Sequence, residues 1–161
     1  MIDLAHVTIE YVIMIPLLVL QILLFPLTAN WLMNMWVNSR MTLALNDSAS
    51  RLGSTIQQLY SALSHATISA GTLTSKPGLP VSVENHHYLG TATLNQPSEQ
   101  ANSSKILTLT LSLEDTSIEV DSSVTLGPHV LWENSTFFSN STNAVISAQK
   151  FDNDTILLKF G

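Results

Sequence analysis

Residues 10–40, from Glu10 to Arg40, read EYVIMIPLLVLQILLFPLTANWLMNMWVNSR, and no charged residue lies between those two ends. From Tyr11 to Leu27 the run is almost purely apolar, interrupted by Gln21, Pro16 and Pro26. A helix needs ~20 apolar residues to cross ~30 Å of hydrocarbon, so this stretch reads as a membrane-spanning helix. A secretory leader has a shorter apolar region followed by a small-residue cleavage site. Here the run passes directly into a further helical pattern. Each proline removes one backbone donor and crowds the carbonyl four residues back, which predicts a long, kinked helix. Gln21 is placed to bond a freed carbonyl or a neighbouring helix. Glu10, at the head of the run, has two readings. It is an interfacial carboxylate favoured by the helix dipole, or a carboxylate that becomes buried and pairs with a neighbouring subunit's cation.

Beyond Arg40 the residues Leu45, Ala49, Leu52, Ile56, Leu59, Leu63, Ala66 and Ala70 recur alternately four and three apart. That is an apolar helical stripe. It predicts one helix from about residue 4 to about residue 70, stopped by Gly71 and by Pro77-Gly78. The stripe packs either on the chain's own C-terminal part or on other subunits.

From Leu79 onward the period becomes two. Lys105 to Glu114 (KILTLTLSLE) places Leu107, Leu109, Leu111 and Leu113 on one face and Thr108, Thr110 and Ser112 on the other, the pattern of a half-buried strand. Asp115-Thr116 turn the chain into a partner strand, Ser117 to Leu126. Ala144 to Phe151 and Thr155 to Phe160 form a second pair around Asp152-Asn153-Asp154. Val81 to Glu84, Tyr88 to Leu94 and Val130 to Phe138 are weaker strands. The fold class expected is therefore α+β. Residues 1–71 form one long hydrophobic helix, and residues 79–161 form a small antiparallel β-sandwich-like domain.

The chain has 161 residues, 45% hydrophobic and only 11% charged, with a net charge of -6 and no cysteine. A thin negative charge without basic clusters disfavours nucleic acid as a partner. Without cysteine there is no disulfide framework and no thiolate metal site. His86-His87 is the single histidine pair, and neighbours on a strand point to opposite faces, so the pair is a poor metal clamp. Neither a Gly-x-Ser-x-Gly elbow nor a Gly-rich phosphate loop occurs. The expectation is a chain that is not an enzyme and takes no cofactor. Asn46, Asn102, Asn134, Asn140 and Asn153 each head an Asn-x-Ser/Thr triplet, an N-glycosylation acceptor in an exported chain. All five lie beyond Arg40, which suits an external C-terminal part. Arg40 and Arg51, the basic residues nearest the run, argue the reverse by the positive-inside rule, and either removal of a basic leader or a true start upstream of Met1 would reconcile the two.

His6-Val7-Thr8-Ile9-Glu10-Tyr11 resembles the archaeal type IV pilin junction, Gln-x-Ser-x-Glu-Tyr or Phe, with His in place of Gln and Thr in place of Ser. Glu10 to Leu20, with Pro16 six residues after the glutamate, is similar to the N-terminal helix of TadE-like pilins. Asn46 to Gly53 is similar to the small-residue and Arg segment that follows in that family. The resemblance covers about residues 6–60. It implies a long N-terminal helix bearing a globular domain, inserted in the membrane before assembly and packed in the core of a filament afterwards. It further implies an assembly platform and ATPase as partners. Glu10, fifth from a mature start at His6, would pair with the N-terminal amine of a neighbouring subunit.

The expected function is a structural subunit of an extracellular pilus-like filament, with self-association through Glu10, Pro16, Gln21, Pro26, Leu45, Leu52, Ile56 and Leu59, and with adhesion as its use. The alternative is a minor pilin or a single-pass membrane-anchored surface protein whose β domain binds a ligand.

Overall fold

The computed structural model describes residues 3–96 and 103–161, with side chains from Tyr11 onward. One helix, α1 (Asp3–Leu63), is followed by eight strands. These are β1 (Gly71–Ser75), β2 (Tyr88–Asn95), β3 (Lys105–Leu113), β4 (Glu119–Leu126), β5 (Val130–Trp132), β6 (Thr136–Phe138), β7 (Ile146–Lys150) and β8 (Ile156–Phe160). A long apolar helix followed by antiparallel-rich sheets is the α+β class read from the sequence. The chain divides into two compact units, Met1–Arg40 and Met41–Gly161, and the division falls inside α1 rather than at its end.

Polar residues do not break α1, because their hydroxyls bond back to carbonyls one turn earlier. Ser48 Oγ donates to Ala44 O at 3.0 Å, Ser54 Oγ to Ser50 O at 2.9 Å and Thr55 Oγ1 to Arg51 O at 2.9 Å. Arg51 reaches Asp47 at 2.8 Å, the i,i+4 order that helices favour.

In the second unit the stripe of α1 is the centre of the core. Leu45, Ala49, Leu52 and Ile56 are 0% exposed, and Leu59 and Leu63 are buried with them. Gly53 lies on the same buried side. A Cβ added there would stand 2.9 Å from Val124 Cγ2 and 3.4 Å from Leu109 Cδ1, so the helix backbone lies directly against β3 and β4.

The strands form two four-stranded sheets, in the orders β1-β7-β8-β5 and β4-β3-β2-β6. β3 alternates as expected, with Leu107, Leu109, Leu111 and Leu113 buried and the intervening Thr and Ser residues half-buried. Asp115, at φ 59°, turns β3 into β4, and Asp154, at φ 62°, lies in the turn between β7 and β8. Aspartate tolerates this left-handed backbone better than most residues. The sheets are joined by aromatic contacts. Phe137 on β6 meets Phe160 on β8 edge to face at 5.7 Å, Trp132 meets Phe160 at 4.9 Å, and Tyr88 stacks on Phe137 at 6.4 Å. Lys105 on β3 donates to the carbonyl of Val130 on β5 at 2.9 Å, a polar tie between the same two sheets.

Several expectations are corrected. The helix ends at Leu63, not near residue 70, and Ala66 and Ala70 are exposed. β structure begins at Gly71, ahead of residue 79, where β1 pairs with β7. Residues 81–84 are not a strand. Val83 and His86 form an isolated bridge around Glu84 and Asn85, both at positive φ, the geometry of a tight two-residue turn. Val130 to Phe138 is two strands in different sheets. β5 runs parallel to β8, so the domain is antiparallel-rich rather than wholly antiparallel.

Candidate functional site

The first unit is built from residues that a water-exposed helix does not ordinarily carry. Every large apolar side chain from Tyr11 to Trp36 is 48–73% exposed, on all sides of the helix. About twenty such side chains, at ~1.5–3 kcal/mol each for full burial, represent on the order of 30–60 kcal/mol of apolar transfer free energy. The net stability of a folded domain is only ~5–15 kcal/mol. An apolar surface of that magnitude is compatible with a membrane span or with a helix covered by other protein. By length and composition, α1 is able to cross a membrane.

The ends of the run are marked. Tyr11 and Trp31 are twenty residues apart, or ~30 Å along a helix, close to the thickness of a bilayer's hydrocarbon. Tyr and Trp settle at the two membrane–water boundaries. Further along, the guanidinium of Arg40 lies 5.0 Å from the ring centre of Trp36. A charge stacked on an aromatic suits the edge of an apolar layer. The sequence reading passed over this spacing, although the residue numbers alone contain it.

The interface residues named from sequence fall into three groups. The backbone of Glu10 is helical, and its side chain lies outside the described residues. Pro16, Gln21 and Pro26 are exposed on the apolar helix. Leu45, Leu52, Ile56 and Leu59 are instead buried by the chain's own β domain. Their interface assignment is corrected: the same stripe that would join subunits is used up within the chain.

The sequons separate by accessibility. In Asn46-Asp47-Ser48 the serine is 1% exposed and sits mid-helix. Asn140, Ser141 and Thr142 are all exposed, in a turn after β6. Asn134 is exposed, and Thr136, the hydroxyl residue of its triplet, is exposed at the start of β6. Asn153 is exposed with its Oδ1 accepting from Thr155 N at 3.2 Å. Asn102 lies outside the described residues.

A second concave region, of about 270 Å³, is lined by Tyr60, Ser64, His129, Lys150, Asp154 and Ile156 among others. Lys150 is 4% exposed. Its Nζ donates to His65 O at 3.3 Å and pairs with Asp154 at 3.1 Å. A buried ammonium needs such partners, and with them Lys150 ties β7 to the loop after α1. The sequence signal for it was present: Lys150 occupies the inward position after Ile146 and Ala148 in the period-two pattern of β7. Tyr88 is likewise structural. Its hydroxyl donates to Pro80 O at 2.7 Å, and burial pushes its pKa above 10.0 while a hydrogen bond with Ser48 acts the other way. His87 Nδ1 lies 3.0 Å from Val81 O. Among the described residues no group of three His, Asp or Glu is placed to hold a metal ion.

No protein-family model, curated protein or solved structure matches this chain.

Proposed function

We propose that this chain is a structural subunit, a pilin, of an extracellular filament of the type IV pilus kind. Its precursor is held in a membrane by α1, and its β domain forms the outer surface. The observation that carries the reading is the apolar segment from Tyr11 to Trp36, exposed on every side, in the same helix that anchors the β domain through Leu45 to Leu63. A one-sided apolar stripe would serve a single partner; an all-round apolar surface suits lipid first and a bundle of like helices afterwards. The N-terminal resemblance supports the same reading and supplies the remaining partners, an assembly platform and its ATPase. Adhesion through the β domain, and glycans on it, belong to this proposal.

The spacing of Tyr11 and Trp31 favours a second reading, in which the helix stays in the bilayer. The chain is then a minor pilin or a single-pass anchor for a ligand-binding surface domain. Negative-stain microscopy and mass spectrometry of shear-released cell-surface material decide between them. The filament reading expects this chain as the main component of fibres. Its recovery in the membrane fraction alone would establish the anchor instead. Glu10→Gln sharpens the test: membrane-bound subunit persists while filament yield falls, because the variant lacks the charge that pairs with a neighbour's amine. A residue acting only through the helix dipole contributes ~0.3–1 kcal/mol, and its loss would leave filament yield unchanged.

A further inference from the structure

Gln21 is the one side chain between Tyr11 and Leu27 that carries an amide. It lies ten residues from Tyr11 and ten from Trp31, so a bilayer bounded by those two residues places it at the midplane, ~15 Å from either surface. Water is scarcest there, and an amide without a partner is costly. Among the described residues Gln21 makes no hydrogen bond. Thr28, by contrast, satisfies its hydroxyl on its own helix, donating to Leu24 O and Phe25 O, each at 3.0 Å. Beside Gln21 lies a second polar group in need: Pro26 has no N–H, so the carbonyl of Ile22 lacks its helical donor. Shallow apolar grooves flank Gln21 on both sides, one lined by Leu17, Leu20, Leu24, Phe25 and Thr28, the other by Leu18, Ile22, Phe25 and Pro26.

We infer that Gln21 is a pairing contact between two copies of this chain in the membrane. The partner is a second copy because the polar group it must meet has to lie at the same depth. A copy inserted in the same orientation presents Gln21 and the Ile22 carbonyl at that depth. The amide both donates and accepts, so the contact is self-complementary. It fixes the register of neighbouring helices before any polymer forms. The inference rests on the membrane-inserted precursor of the proposed function, and it holds whether or not the helices later leave the bilayer.

The chain has no cysteine, so engineered single cysteines report helix contacts without background. Leu17 and Leu24 lie within about 60° of Gln21 around the helix, and Val19 and Leu23 lie on the opposite face at ~100° per residue. The full chain, carrying Leu17→Cys, Leu24→Cys, Val19→Cys or Leu23→Cys, is reconstituted in phosphatidylcholine vesicles and oxidised. Disulfide-linked dimer is expected several-fold more at Leu17→Cys and Leu24→Cys than at the other two. Adding Gln21→Leu removes that preference and weakens association by about 3- to 30-fold, the range for polar contacts between membrane helices. Gln21→Asn retains the preference in part. Equal cross-linking on both faces, or a preference that survives Gln21→Leu, overturns the inference. Cells without filaments whose subunits still cross-link on the Gln21 face would remove the filament reading and leave this one. Filaments built from helices that cross-link without facial preference in vesicles would do the opposite.

Discussion

Gly53→Ala sets two effects of known sign against each other. Replacing a mid-helix glycine by alanine stabilises a helix by ~0.8–1 kcal/mol, because alanine has fewer unfolded conformations to lose. At Gly53 the new Cβ would sit 2.9 Å from Val124 Cγ2. Carbon atoms prefer separations of ~3.5–4.0 Å, so helix and strand must part by roughly half an ångström or more. Val124 cannot swing aside easily, since its branched Cβ restricts it to few rotamers, and it stands on β4 opposite Leu107 of β3. Overpacking of this kind costs ~1–3 kcal/mol. The steric term therefore wins, and Gly53→Ala is expected to lose about 0.5–2 kcal/mol net. Chemical denaturation of the full chain in mild detergent measures this, as does a melting point lower by several degrees. Val124→Ala supplies the second leg of a double-mutant cycle: in the Gly53→Ala background it should cost about 1 kcal/mol less than in the wild type, because it removes the clash. A Gly53→Ala protein more stable than wild type by about 1 kcal/mol would mean that only the helix term operates. The close approach of α1 to β3 and β4 would then be refuted.

Ile56→Asp places an unpaired carboxylate at a fully buried position, and loss of the folded β domain by circular dichroism is expected, while Ser61→Asp, at an exposed position of the same helix, folds normally. Burial raises the pKa of Tyr88 above 10.0, so the folded state holds that proton more tightly than the unfolded one. Its contribution is fully present below the unfolded value and is lost as pH rises through the folded value. Denaturation midpoints across the alkaline range should fall less steeply for Tyr88→Phe than for wild type, from a lower starting stability because the bond to Pro80 O is gone. Incubated with a purified oligosaccharyltransferase and its lipid-linked glycan, the folded chain should accept sugar at Asn140 and not at Asn46, as read by peptide mass spectrometry; modification of Asn46 without denaturation would show that α1 opens around Ser48.

The parts of the fold legible in the sequence were those written in local periodicity. The stripe from Leu45 to Leu63 and the alternation of Leu107, Leu109, Leu111 and Leu113 name their own buried faces, because each requires only that one side of one element avoid water. The last positions of the stripe, Ala66 and Ala70, have the right spacing but too few apolar atoms to hold another two turns in place. Ile68 N bonds to His65 O instead, closing a turn there. β1 was missed because its side chains hardly signal it: Thr72, Leu73 and Thr74 are exposed, and backbone pairing to β7 holds the strand. The parallel contact of β5 with β8 joins residues 26 apart at Val130 and Ile156, and nothing in either short segment specifies a partner so distant. At the candidate site, the apolar run and Gln21 were plain. The pairing of Lys150 with His65 O and Asp154 was not, because the alternation of β7 marks Lys150 as inward without naming a partner 85 residues away.

The strand order also sets what each sheet needs from the chain. β4, β3, β2 and β6 are all supplied by residues up to Phe138, so that sheet and the α1 stripe it covers need no strand from beyond that point. The other sheet has no such freedom. β8 lies between β7 and β5, and it is made after both. Until it arrives, β5 has no neighbour in its own sheet, Trp132 lacks the ring of Phe160, and Phe137 presents one uncovered edge. A chain cut before Ile156 would thus carry a half-built domain with an open strand edge, the kind of intermediate that is prone to aggregate.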